Sequence, residues 1–231
     1  MSQYNTPLLK GLRTSVVVRS RLAEDEWNRS RQCGTIQYVI LGAGLDTFAY
    51  RNRDSSRIFE VDLPATQQWK RNCLLTAGIE EPASLTFVPI DFERSALTKA
   101  LGNAGFRMDE PAFFSWLGVT MYLEEDAIMT TLRFIAALVP GSAVVFDYTV
   151  VPSLLSPRER RAMEVLAARA TEGGEPWKTF FEPASLAGML YSLGFSEVED
   201  HGPKQLNERY LSGRTDGLRK SGVSRLVCVR V

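Results

Sequence analysis

The chain has 231 residues, 45% of them hydrophobic, enough to bury roughly 70% of the unfolded surface around one core without staples. Its 27 Lys and Arg balance 27 Asp and Glu, so no net field draws polyanions and no nucleic-acid partner is expected. Three cysteines without CxxC spacing exclude a disulfide framework and a thiolate metal site, and the apolar runs are too short and too interrupted to span a bilayer, so the reading is a soluble cytoplasmic protein without metal or membrane partner.

In chain order, RSRLAEDEWNRSR within the first thirty residues has the charge pattern of a surface helix. From about residue 35, apolar periodicity places strands at 36–41, 57–61, 85–90, 112–117 and 143–148. Helical stripes lie between them: Ala65, Trp69, Cys73 and Ala77; then Leu97, Ala100, Leu101 and Ala104; then Ile128, Leu132, Ile135 and Val139. Pro64 suits a first helical position and Gly78 a helix exit, while Ser156, Pro157 and Glu159 form a capping-box start for a helix through Ala170. Its basic opening, PRERR at 157–161, reads as a solvated helix face. A helix carrying Leu186, Met189, Leu190 and Leu193 ends at Gly194, and FSEVEDHG and SRLVCVRV read as two further strands, with GGEPWK and SGRTDG as polar loops. The alternation implies a doubly wound α/β fold, a mostly parallel sheet of about seven strands, and no linker divides the chain, so a single domain is expected.

In such a sheet small ligands bind at the carboxyl ends of the strands, where the order reverses. VILGAGLDTFAYR puts Gly42, Gly44 and Asp46 at the first of these turns, where absent Cβ atoms let backbone approach a ligand. A dinucleotide fingerprint would need a third glycine at position 47, which is Thr, and this counts against a nicotinamide-dependent oxidoreductase. Asp62, in FEVDLP, closes the second strand where a carboxylate can accept from ribose hydroxyls; Glu60 is the alternative, and an N-cap role for Asp62 is compatible with either. Asp91, in VPIDFE, follows the third strand and could accept from an exocyclic amine, with Phe92 offering an apolar face to a purine. A glycine turn and acids after successive strands describe an adenosine pocket without phosphate binders.

These stretches, together with FFSWLGVTMYL, GEPWKTFF and RYLSGRTDGL, resemble the leucine carboxyl methyltransferase family of S-adenosylmethionine-dependent methyltransferases, over about residues 19–216. The resemblance implies a class I methyltransferase fold with an antiparallel seventh strand, and S-adenosyl-L-methionine as cofactor. It implies a cover segment at 1–34, a cofactor-binding core at 35–150 and substrate-side helices and strands at 151–231. It assigns Gly42 and Gly44 to the amino-acid part of the cofactor, Asp62 to ribose, Asp91 with Phe92 to adenine, and an arginine before the first strand, Arg19 with Arg21 as rival, to the methionine carboxylate. Two departures accompany it. Leu117 stands where relatives of the phosphatase-modifying enzyme carry a glutamate, and family members ordinarily have more sequence before the arginine, which leaves a non-catalytic S-adenosylmethionine-binding protein as a rival to the enzyme.

The chemistry expected is O-methylation of a small molecule. An acceptor carboxylate is already ionised at neutral pH and needs no base, whereas a hydroxyl would need one, for which His201 is the obvious titrating side chain. Tyr122, Tyr148 and Tyr210 lie in segments expected to border the acceptor, and Trp177, Phe180 and Phe181 could form an apolar lid or anchor a loop.

Overall fold

The computed structural model describes residues 6–92 and 96–231. Five strands, β1 (Gln37–Leu41), β2 (Arg57–Asp62), β3 (Leu85–Pro89), β4 (Ala112–Trp116) and β5 (Ala143–Thr149), pair in parallel. The last strand, β7 (Ser224–Arg230), runs antiparallel between β5 and β6 (Glu197–His201), giving the order β3-β2-β1-β4-β5-β7-β6. All seven strands expected from periodicity are present, and the seventh is antiparallel as the resemblance implies. The order reverses between β1 and β4, so the turn after β1 lies at the switch point.

Successive side chains of a strand point to opposite faces, and this divides the core in two. Val39, Leu41, Phe114, Trp116, Val144 and Phe146 pack on one face beneath α4 (Leu97–Asn103), α5 (Glu125–Ala136) and α7 (Pro183–Ser192). Tyr38, Ile40, Phe113 and Val145 pack on the other beneath α1 (Pro7–Gln32), the short α2 (Phe48–Arg51) and α8 (Pro203–Leu211). The helix α6 (Pro157–Glu172) opens with the expected capping box, Ser156 and Glu159 each serving the other's backbone N–H.

Two helices differ from expectation. The stretch read as a charged surface helix is the second half of α1, which runs over 26 residues and buries Val18, Leu22, Ala23 and Trp27 on the sheet. Its charges mask an apolar stripe, and Trp27 stacks on Tyr38 with ring centroids 5.0 Å apart. In α3 (Pro64–Thr76) the stripe through Trp69 and Cys73 faces outward, Trp69 being 52% exposed, while Gln67 and Lys70 are buried. Polar bonding overrides apolar periodicity here: Lys70 meets the Glu60 carboxylate at 2.6 Å and Gln67 donates to the Glu60 carbonyl at 2.8 Å.

Candidate functional site

The register of the parallel strands brings the tips of β1, β2 and β3 to one edge: Leu41 lies beside Val61, and the Ile90 N–H donates to the Asp62 carbonyl. At the first tip the Gly42 and Ala43 N–H groups both donate to the Val61 carbonyl, 2.7 and 3.1 Å, which curls the chain back over the sheet. Gly42 has φ +66°, and a Cβ there would collide with Val119. Gly44 has φ +42°, and its missing Cβ faces open space, so backbone is presented directly to whatever enters. The Gly44 N–H donates to Asp62 Oδ2 at 2.6 Å and the Leu63 N–H to Oδ1 at 2.7 Å, so Asp62 fastens the turn and also serves the backbone at the start of α3. Asp46 accepts the Phe48 N–H at 2.7 Å, and its carbonyl accepts from Lys70 Nζ at 2.7 Å.

Glu60, the alternative to Asp62, is not at the edge. Two residues back along β2, it is fully buried with Lys70 as its cationic partner. Burial pushes its carboxyl up, Lys70 draws it partly back, and it settles at about 7.

A cleft of about 700 Å³ opens at the glycine turn, walled by Arg19, Arg21, Gly42, Gly44, Asp46 and Leu117 among others. Asp62 meets it through the Gly44 N–H. Asp91 and Phe92, at the third tip, lie on the same edge but do not line the cleft; Phe92 stacks on Trp116, centroids 6.0 Å apart. Of the two arginines, Arg21 pairs with Asp25 on its own helix and is largely exposed, whereas Arg19 reaches the end of β5 and pairs with Asp147 at 3.2 Å. Gly118, φ +75°, makes room: a Cβ there would stand 2.5 Å from the Arg19 guanidinium, and its N–H donates to Asp147 Oδ1 at 2.5 Å.

Arg19 also lines a second cavity, of about 920 Å³, open to solvent and bordered by α1, α6, the turn at Met121 and Tyr122, and residues among 219–224. Strand alternation explains which β5 residues reach it. Asp147 and Thr149 share the α1 face with Val145 and line the cavity, whereas Tyr148 points the other way and is 1% exposed. Of the four residues considered for the acceptor side, Tyr122 lines this cavity and the other three do not. The Tyr148 hydroxyl donates to Asp200 at 2.6 Å, and burial and that carboxylate push its pKa up. Tyr210 donates to Asp25 at 2.8 Å between α8 and α1, and is raised by burial and the same contact. His201 lies half-buried on the edge strand β6, lowered by burial, 3.7 Å from Glu199. Trp177 stands in the cavity wall, and the stretch after it is anchored: the Lys178 N–H donates to the Met121 carbonyl at 2.7 Å and Phe181 is buried against Tyr148.

The sequence reading missed Asp147, Gly118, Lys70 and Lys220. Asp147 carried a signal, a lone carboxylate inside the apolar run VVFDYTVV. Lys220 is 4% exposed in the wall of the second cavity, with Nζ donating to the Ser224 carbonyl at 2.6 Å; burial pulls its pKa down to about 8. The folded chain therefore releases that proton before the unfolded chain does, and this contribution to stability rises as pH climbs above about 8. Urea titrations of the wild type and Lys220→Met across pH 7 to about 10.5 should show the difference in unfolding free energy moving in the wild type's favour as pH rises.

The comparisons with known proteins agree with this architecture. The family described as leucine carboxyl methyltransferase matches residues 2–136. The "Putative S-adenosyl-L-methionine-dependent methyltransferase YktD" of Bacillus subtilis is 38% identical over 190 residues, 80% of this chain and 62% of that protein. The chain thus spans about three-fifths of the length of such relatives. Among solved structures, a duf574 family protein from Streptomyces avermitilis superposes with TM-score 0.65 at 16% identity, covering 94% of this chain and 82% of that one. The apo S-adenosylmethionine-dependent methyltransferase SibL does so with TM-score 0.52 at 16% identity, covering 86% and 51%. The fold is that of the class I methyltransferases, and the chain belongs to the leucine carboxyl methyltransferase family.

Proposed function

We propose that the chain is an S-adenosylmethionine-dependent O-methyltransferase that esterifies a carboxylate of a small molecule. The observation that carries this reading is the seam between the two cavities: Arg19 lines both, so a donor at the glycine turn and an acceptor in the second cavity would meet beside it. The residues suit the cofactor. Arg19 offers a planar fork for an amino-acid carboxylate, Gly44 leaves its backbone bare, and both Asp62 oxygens keep a lone pair for ribose hydroxyls beyond the N–H each accepts. When bound, S-adenosylmethionine would supply a sulfonium methyl group for in-line transfer to the acceptor oxygen, with S-adenosylhomocysteine as the leaving thioether.

The chain's own contribution is placement and exclusion of water. A carboxylate acceptor is favoured because no histidine faces the second cavity and Lys220, its buried amine, is held by the Ser224 carbonyl. A carboxylate is ionised at neutral pH and needs neither.

Isothermal titration with S-adenosylhomocysteine should give saturable binding, and Asp62→Ala should weaken it about tenfold, the worth of one hydrogen bond to a charged acceptor. Transfer of labelled methyl to a panel of acids and phenols tests the chemistry. The label should be released as methanol by mild alkali, as from an ester; alkali-stable label would identify an ether and a hydroxyl acceptor. No binding of S-adenosylhomocysteine at millimolar concentration would overturn the reading.

A further inference from the structure

The helix α6 opens with the basic cluster that the sequence presents as a solvated face; Arg158 and Arg161 are exposed as expected, and with the exposed Arg169 they line the second cavity. Residues 158, 161, 165 and 169 fall on one stripe of a helix, with Val165 between arginines. Leu12 and Val16 of α1 also line the cavity. None of the three arginines has a carboxylate partner among the described residues, and Arg219 donates only to the neighbouring Leu218 carbonyl at 2.7 Å.

The wall of this cavity holds six cations, these four with Arg19 and Lys220, against two carboxylates, Asp147 and Glu159, in a chain whose net charge is zero. Both carboxylates are already engaged. Asp147 holds Arg19 and the Gly118 N–H; Glu159 accepts from Ser156 and from the Gly222 N–H at 2.6 Å. Uncharged donors add to the imbalance: Thr149 Oγ1 and Trp177 Nε1 are buried in residues of the wall and have no hydrogen-bond partner among the described residues. The cavity is therefore rich in donors and poor in free acceptors, with Leu12, Val16 and Val165 adding apolar surface to the same wall. Its volume, about 920 Å³, is that of a site for one small molecule.

Resting on the methyltransferase reading for its donor, we infer that this cavity is the acceptor site and selects a small apolar molecule bearing a negative group remote from the oxygen to be methylated, held by the α6 arginines. Arg161 and Arg169 are about 12 Å apart along the helix axis with Val165 midway, so a guanidinium stands on either side of the apolar contact that an extended chain would make there. A monoanion would be held at one end only, and a neutral alcohol by its apolar body alone.

The test titrates suberate, octanoate and octanol, which share one unbranched chain length, into the protein with and without saturating S-adenosylhomocysteine, by calorimetry. Suberate should bind tightest and octanol weakest, and the order should flatten at high salt. The double variant R161E/R169E should lose about tenfold or more for suberate, the worth of one charge-assisted hydrogen bond, while its affinities for octanol and S-adenosylhomocysteine stay unchanged. The variant R161K/R169K should recover most of the loss. Equal binding of the three ligands, an unchanged suberate affinity in the charge-reversed protein, or tighter binding of an acidic peptide than of suberate would each overturn the inference. If S-adenosylhomocysteine fails to bind while the anion preference persists, the donor reading falls and the anion site stands.

Discussion

Replacing Lys70 by Met is expected to lower the free energy of unfolding by about 3–5 kcal/mol, read from urea titration at neutral pH, because it strands a buried carboxylate. Glu60 is 0% exposed and Lys70 3%, and among the described residues Lys70, at 2.6 Å, is the carboxylate's single ionic partner while Glu60 Oε1 has no hydrogen-bond partner. The pH dependence identifies the cause. Glu60 sits at about 7, above the ordinary carboxylate range, so the folded state takes up its proton first and the group's contribution to stability falls as pH rises through that range to about 7. Without Lys70 the carboxyl would be raised further, so the deficit of the variant should be greatest at neutral and alkaline pH and fade as the solution is acidified toward the ordinary range. The pair variant Glu60→Leu with Lys70→Met should recover much of the loss, since an apolar pair removes both desolvated charges. Lys70→Met should also loosen the glycine turn, whose Asp46 carbonyl the ammonium holds. A deficit independent of pH, or equal in the pair variant, would show that packing and not charge is at stake.

This pair also marks where sequence reasoning reached its limit. Strands such as β1, β4 and β5 were legible because they are runs of mostly apolar residues bounded by turns, and alternation alone predicts which β5 residues share a face once the sheet exists. The glycine turn and Asp62 were legible because backbone that must approach a ligand needs glycine and a strand tip is a fixed place. Helix facing was not. For α3, apolar spacing pointed Trp69 inward, but Glu60, two residues from the end of β2, recruits Lys70 with its carboxylate and Gln67 with its backbone carbonyl, a partnership over distances that periodicity does not register. For α1, abundant charge concealed the stripe from Val18 to Trp27. The second cavity was invisible for a related reason, since its wall is assembled from segments as distant as Val16, Arg161 and Lys220. Tyr148 and Asp147 are neighbours in sequence, and only the pleat decides which of them faces Arg19.

Arg19→Leu is expected to weaken S-adenosylhomocysteine binding about 100-fold, corresponding to the two charge-assisted hydrogen bonds of a guanidinium fork on a carboxylate. The same change removes the cationic partner of Asp147, whose side chain is 5% exposed, and should cost about 1–3 kcal/mol of stability, less than at Lys70 because Arg19 itself is 25% exposed. Two measurements on one variant would then confound a folding defect with a lost contact, and Arg19→Lys separates them. An ammonium can still pair with Asp147 but lacks the planar fork, so stability should stay close to that of the wild type while affinity falls about tenfold. Gly118→Ala approaches the same contact from the opposite side: its Cβ would stand 2.5 Å from the guanidinium, at a φ that disfavours any side chain, so the arginine must move although its charge is kept. Agreement between Arg19→Lys and Gly118→Ala, weakened product binding with Asp147 still compensated, would place the carboxylate of the bound amino acid on this fork. An unchanged affinity in Arg19→Leu would remove the arginine from the donor site and leave Arg21, two residues further along α1 in the same cleft wall, as the residue to change.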